Sequence, residues 1–481
     1  MNATPLDHFH RRRFLGATAG LTLGLPAIGS LLAGEPGRGG EAGAGLPHFP
    51  PKAKRVIYLM QSGGPSHVDL FDDKETLRER RGEELPESVL QGLRQTTMTA
   101  GQSSKPCLPA AFGGRRRGES GMWVGDLLPH TAEIVDDLCF IRSLHGEQIN
   151  HAPAVTQMLT GHNQPGRPSL GAWLTYGLGS TTDELPSFVV MTSKDRENTC
   201  GQLFYDYYWG AGFLPGKYQG VPFRGAGDPV LYLSNPAGVA REDRRATLDR
   251  LAALNQLAHD RYHDPAIETR IAQYEMAFKM QASVPDLVDF ADEPQSVLDL
   301  YGPDVQRKGS YAHNCLMARR LIERGTQYVQ LMHAGWDQHG NLPTQLPNQC
   351  RDTDQPSAGL VKDLKLRGLL EDTLVIWGGE FGRTPYVQGD ITNKNAHGRD
   401  HHPRAFTIWM AGGGVKPGAI YGRSDEFAFH VAENPVHVRD LQATVLHLCG
   451  IDHERFTHRH QGLDFKLTGV EPARVVREIL A

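Results

Sequence analysis

The chain has 481 residues, enough for two or three domains or for one large α/β unit. Its 39 % hydrophobic and 22 % charged content is that of a globular protein and excludes a disordered one. A formal net charge of −5 and a pI near 6.5 leave no basic field of the kind that nucleic-acid binding needs.

The N-terminus reads as a targeting segment. Arg11-Arg12-Arg13-Phe14-Leu15 leads into the small and apolar run 16–33, with no acidic residue from Arg11 until Glu35. This pattern predicts a twin-arginine export signal, read by that export machinery as an address. Gly24, Pro26 and Gly29 interrupt the run, which argues against a permanent membrane span. Cleavage is expected between Ala33 and Leu46, and the destination is periplasmic or extracellular. Residues 1–45 are thus a signal and flexible linker, and 46–481 a single α/β domain. The six cysteines (Cys107, Cys139, Cys200, Cys315, Cys350, Cys449) show no framework spacing and read as buried apolar residues, with at most one bridge.

Short β-branched or aromatic runs predict buried parallel strands at Arg55–Met60, Leu138–Ile141, Ser187–Met191, Gln327–Met332 and Thr373–Trp377, with a later strand at Ala405–Met410. Helical patterns are expected over Asp126–Asp136, Pro168–Tyr176, Glu242–His259, Pro265–Gln281, Tyr311–Arg324, Gln355–Leu370, Asp440–Leu448 and Pro472–Leu480. The alternation predicts a mainly parallel sheet sandwiched by helices. Residues 74–121 (polar and Arg-rich) and 192–235 (aromatic and Gly-rich) read as insertions. The second, with Phe204-Tyr205-Asp206-Tyr207-Tyr208-Trp209, is either a lid whose rings stack on sugars or a loop packed on the core.

Ligands of such sheets bind beyond the carboxyl ends of the strands. Four strands run into polar loops there: one carrying His67 and Asp69, one reaching His151, one carrying Asp337 and His339, and one carrying Glu380 and Arg383. The loop with Asp400, His401 and His402 precedes its strand, so it reaches the same edge only if that strand is antiparallel or the loop folds back. Carboxylate and imidazole are ligands of borderline divalent metals. Arg383 suits a bidentate grip on an anionic ester, or else a structural ion pair with Glu380. Adjacent histidines do not easily share an ion, so one of His401 and His402 is expected to bind metal and the other to support it.

Gly63-Gly-Pro-Ser-His-Val-Asp69, Trp336-Asp-Gln-His339, Asp363-Leu-Lys-Leu-Arg-Gly-Leu-Leu-Glu-Asp-Thr-Leu-Val375 and Gly378-Gly-Glu-Phe-Gly-Arg-Thr-Pro385 closely resemble an exported bacterial family, domain of unknown function fifteen-oh-one. Gly398-Arg-Asp-His-His402, Ala411-Gly-Gly-Gly414 and Asp440-Leu-Gln-Ala-Thr-Val-Leu-His447 extend the resemblance over nearly all of the chain after the signal. It implies an alkaline phosphatase/sulfatase-like fold and a metal-dependent site. His151-Ala-Pro-Ala-Val-Thr-Gln-Met-Leu-Thr-Gly161 is similar in spacing to the sulfatase signature, with His151 in place of the cysteine that becomes formylglycine. The resemblance makes Asp337 a metal ligand, one of His401 or His402 the last histidine ligand, and sets Gln61 where an acidic ligand is usual, leaving His67 or Asp69 as substitutes.

The expectation is a secreted, metal-dependent hydrolase of a sulfate or phosphate ester, with a polysaccharide as one candidate carrier of that ester. His67, Asp69, Asp337, His339, Glu380, Asp400, His401 and His402 are its candidate metal residues, and the divalent ion is Zn, Mn, Ca or Mg. Arg383 would bind the anion, and His151 would be nucleophile, ligand or general acid. The alternative is a non-catalytic secreted protein of the same fold that binds sulfated polysaccharide or a surface partner. A metallopeptidase is disfavoured by the lack of an HExxH helix.

Overall fold

The computed structural model describes residues 45–481 apart from 95, 195–201, 226–228, 231–232, 236–237 and 394–395. The expected signal segment and linker, Cys200 and part of the second expected insertion therefore lie outside the described residues. A nine-stranded sheet organises the chain. Its strands, numbered along the sequence, are β1 (Arg55–Ser62), β2 (Leu138–His145), β3 (Phe188–Lys194), β4 (Val221–Phe223), β5 (Tyr328–Ala334), β6 (Thr373–Gly378), β7 (Phe406–Ala411), β8 (Ile420–Tyr421) and β9 (Val436–His437). They lie in the order β8-β2-β7-β6-β1-β5-β3-β4, and β9 also pairs with β2.

All pairings are parallel except those of β7, which runs antiparallel to both β2 and β6. The reversed strand meets the condition set by the sequence. Its leading loop, with His401 and His402, starts from the edge where the parallel strands end.

Among the described residues, seven longer helices cover the sheet: α1 (His151–Thr160), α2 (Leu170–Leu178), α3 (Arg241–Tyr262), α4 (Pro265–Val288), α5 (Tyr311–Glu323), α6 (Leu342–Leu366) and α7 (Val438–Leu448). Ile57, Leu59, Val329, Leu331 and Trp377 face α4, α5 and α6 in one core. Their neighbours Val56, Tyr58, Met60, Met332 and Ile376 face α1, α2 and α7 in the other. Burial on both faces is why these strands read as unbroken apolar runs and not as alternating ones. Each fully buried Leu, Ile or Val contributes roughly 1.5–3 kcal/mol.

Three expected helices differ. Residues 126–136 form two short 3₁₀ turns, Thr131–Glu133 and Val135–Asp137. Pro129 lacks an N–H to continue a helix, and Asp354 accepts hydrogen bonds from the backbone of His130 and Thr131 at 2.7 and 2.9 Å. At the C-terminus only Arg477–Ile479 turns, because Leu480 bridges to Val415 in extended form. Helix α6 begins at Leu342, earlier than expected, and runs through Pro347 and Pro356. Burial of Leu346, Cys350, Leu360, Val361 and Leu364 offsets the missing N–H groups. The first insertion carries short elements, including the ribbon of Gly114–Arg117 with Met122–Gly125. All five described cysteines are free and buried. Among the described residues, no helix is long and apolar enough to cross a membrane.

The end of β1 is the tightest junction. Gly63 has φ +116°, and a Cβ there would sit 2.6 Å from the Asp337 nitrogen and 2.8 Å from the Trp336 carbonyl carbon. Gly63→Ala is therefore expected to lower stability by about 1–3 kcal/mol, read from chemical denaturation midpoints.

Candidate metal centre

Asp337 emerges three residues after β5, held by Trp336. The Trp336 indole N–H donates to Gln61 Oε1 at 2.9 Å, and its backbone N–H donates to the Ser62 carbonyl at 3.3 Å. Glu380 follows β6, and His151 opens α1. Gly382–Arg383 pairs with His401–His402 in a two-stranded ribbon, with His401 opposite Arg383. His151, Asp337, His339 and His401 each bring one ligand-type atom to a common point, all within 4.8 Å of one another.

Every imidazole in this cluster has its Nδ1 tied to an oxygen. His401 Nδ1 donates to the Ile149 carbonyl at 2.7 Å, and His339 Nδ1 donates to Gln388 Oε1 at 2.6 Å. His151 Nδ1 lies 2.6 Å from Glu380 Oε1 and 3.1 Å from Gln202 Nε2. The carboxylate contact is shorter and charged, so it takes the Nδ1 proton. These contacts fix the tautomers and turn each Nε2 inward.

The inward atoms crowd together. His339 Nε2 is 2.9 Å from Asp337 Oδ1 and 2.9 Å from His401 Nε2, which is itself 3.2 Å from Asp337 Oδ1. His151 Nε2 is 3.1 Å from Asp337 Oδ2, yet it is buried and makes no hydrogen bond of proper geometry. The close approach there is one of charge, and the ring does not aim its nitrogen at that oxygen. With both Nδ1 protons directed at oxygens, the facing nitrogens of His339 and His401 present lone pairs to each other. Such a set repels itself unless a positive charge lies among it. The donor set fits a metal ion.

Protonation follows the same electrostatics. Burial works against charge on His151, but its contacts with Asp337 and Glu380 prevail and push it up to about 9. His401 is held down to about 4, chiefly by burial, with the charges of Arg383 and His151 adding to it. Burial alone would raise Asp337, but Arg383 and the three imidazoles bring it far below the usual carboxylate range.

The remaining sequence candidates lie around this point, not at it. Glu380 accepts from the Gly63 N–H at 3.0 Å and orients His151. Arg383 is fully buried behind Asp337. Its Nη2 reaches Asp337 Oδ1 at 2.6 Å, and its other contacts go to the carbonyls of Gly63, Gly64, Trp336 and Arg399. It positions that carboxylate and does not face the cavity. Asp400 accepts from Thr96, Thr99 and its neighbour's backbone N–H. Asp69 forms a buried bidentate pair with Arg399, at 2.7 and 3.0 Å, and this partner outweighs burial to keep its carboxyl low. His67 and His402 are buried and stacked 6.2 Å apart, donating through Nε2 to the carbonyls of Ala428 and Phe429. Sequence reasoning missed Ile149 and Gln388, which orient the ligands. A backbone carbonyl carries no sequence signal at all.

A cavity of about 310 Å³ opens beside the cluster, walled by Ser62, His151, Gln202, Tyr205, Tyr208 and Asp337 among others. The aromatic insertion thus borders the site. Tyr205 is held flat against Tyr207, with centroids 5.1 Å apart and planes at 6°.

The chain belongs to the family described as "Protein of unknown function (DUF1501)", which matches residues 53–480. No curated protein matches it. Solved structures are similar over most of their length at low identity. A sulfatase from Pseudoalteromonas sp. matches with 11 % identity, a TM-score of 0.34, and 84 % of this chain against 68 % of that one. A phosphonate monoester hydrolase from Silicibacter pomeroyi gives 10 %, 0.32, 89 % and 76 %. A lipoteichoic acid synthase from Listeria monocytogenes gives 10 %, 0.34, 88 % and 76 %.

Two outcomes follow from the pairing around the cluster. Asp69→Ala leaves Arg399 buried without its partner and is expected to cost about 3–5 kcal/mol in chemical denaturation. Zinc added to the folded fraction should be bound as by the wild type, because Asp69 lies outside the cluster. In metal-stripped protein, His151 titrates near 9, against 6.5 in the unfolded chain. Its contribution to stability is complete below about 6.5 and is lost as pH rises through about 9. The melting temperature of chelator-treated protein should therefore fall across that window, and His151→Gln should flatten the fall.

Proposed function

We propose that this protein is a metal-dependent hydrolase of an anionic ester, with one divalent ion held by His151, Asp337, His339 and His401. One observation carries the reading: three imidazoles, each held at Nδ1 by an oxygen, bring their Nε2 atoms and one carboxylate to a common point. Three nitrogens and one oxygen suit zinc or a similar transition ion better than calcium or magnesium. When bound, such an ion supplies a lowered pKa for water, to about 7, and stabilises charge that develops on the reacting group.

The protein's own residues set the geometry. Arg383 and Trp336 hold Asp337, Glu380 holds His151, and Gln388 and the Ile149 carbonyl hold the other two rings. Among the roles expected for His151, ligand is the one its position supports. Tyr205 and Tyr208 give the cavity an aromatic wall that suits an alcohol group with a flat face, such as a sugar ring. The twin-arginine motif supports export of the folded, loaded protein to the periplasm or medium.

A non-catalytic binding protein is the second reading, and one observation favours it: among the described residues lining the cavity there is no lysine or arginine. Metal analysis of protein purified without added metal, followed by a screen of aryl sulfates and phosphates, separates the two. Stoichiometric metal with turnover supports the hydrolase; neither supports the binding protein. Asp337→Ala should abolish metal retention, and the hydrolase reading fails if that variant keeps a full equivalent. Glu380→Gln should weaken metal affinity roughly 10–100-fold, because it removes the charged orienting partner of a ligand.

A further inference from the structure

We propose that the Ser62 hydroxyl is the protein's direct contact to the oxyanion of the substrate. This rests on the reading of the cluster as a metal site for an anionic ester. Ser62 ends β1, and side chains on a strand alternate between faces. Gln61 points into the core on the α5 and α6 side, where it accepts from Trp336 and donates to the Tyr311 hydroxyl at 3.0 Å. Ser62 therefore faces the α1 side, where it forms part of the cavity wall together with His151 and Asp337.

Its own environment leaves the hydroxyl available. Ser62 is 3 % exposed, and its Oγ makes no hydrogen bond among the described residues. The hydroxyl opens on the cavity, so its O–H is free to donate to a group bound there. Among the described residues of this wall, the two ionisable side chains of the cluster are already engaged. His151 and Asp337 belong to the cluster, and Arg383, the cation expected to grip an anion, is buried behind it. The ligand class is a tetrahedral oxyanion, sulfate or phosphate, whose unprotonated non-bridging oxygens accept hydrogen bonds. Ser62 donates its O–H to a non-bridging oxygen in place of an arginine.

The test is calorimetric titration of inorganic sulfate, and separately of inorganic phosphate, into the zinc-loaded full chain. Ser62→Ala and Ser62→Thr are titrated alongside the wild type, and zinc is quantified in each. A hydrogen bond to a charged oxygen predicts roughly 10–100-fold weaker binding to Ser62→Ala. Its zinc content should be unchanged, and Ser62→Thr should restore affinity. Tighter binding of one anion than the other identifies the ester class, and either order supports the contact. Equal affinity in Ser62→Ala and wild type overturns the contact while leaving the metal reading intact. A wild type that holds zinc but binds neither anion overturns the contact and the anionic-ester reading together. A wild type that takes up no zinc overturns the metal reading beneath both.

Discussion

The carboxylate of Asp337 is the point on which the site is built. It is fixed from behind by a fully buried guanidinium and approached from the front by three imidazole nitrogens. Neither arrangement is stable alone. Arg383 needs an anion to compensate its burial, and the imidazoles need a centre that their lone pairs can share. The sheet edge supplies both, because β1, β5 and β6 end side by side and the reversed β7 returns its leading loop to the same line.

The surrounding polar groups form layers with separate tasks. Gln61 and the Gly63 backbone tie the end of β1 to Trp336 and Glu380, so the strand that carries no ligand still sets the position of two neighbours. Arg399 does related work further out, where it pairs with Asp69 and donates to the carbonyls of Leu108, Pro109 and Thr384. The first insertion is thereby fastened to the loop that delivers His401. Residues that look like ligands by type can thus serve as struts for those that are.

Electrostatically the site is a compromise between burial and charge. Histidines away from the carboxylates, such as His333 and His402, are pushed down to about 3 by burial. His151 sits between two carboxylates and goes the other way, up to about 9. Without a metal ion, burial favours the neutral ring in one pocket and two carboxylates favour the charged ring in another, so the difference lies in the partners.

Much of this was legible in the chain. Apolar runs located six strands, since burial on both faces imposes a continuous pattern that needs no knowledge of neighbours. Glycine-rich loops after those strands marked the edge, and ligand-type residues on them marked Asp337, His339, Glu380 and His401 or His402. The choice between the last two was not legible. Successive residues of a strand face opposite sides, and only the pairing of His401 with Arg383 decides which ring turns inward. Nor was the fate of Asp69 or Arg383, whose partners lie 330 and 46 residues away in sequence. Residue type and local pattern are properties of the chain by itself, whereas partnership depends on which distant segments the fold brings into contact. Asp337 becomes a shared centre, and Asp69 a strut, only through that contact.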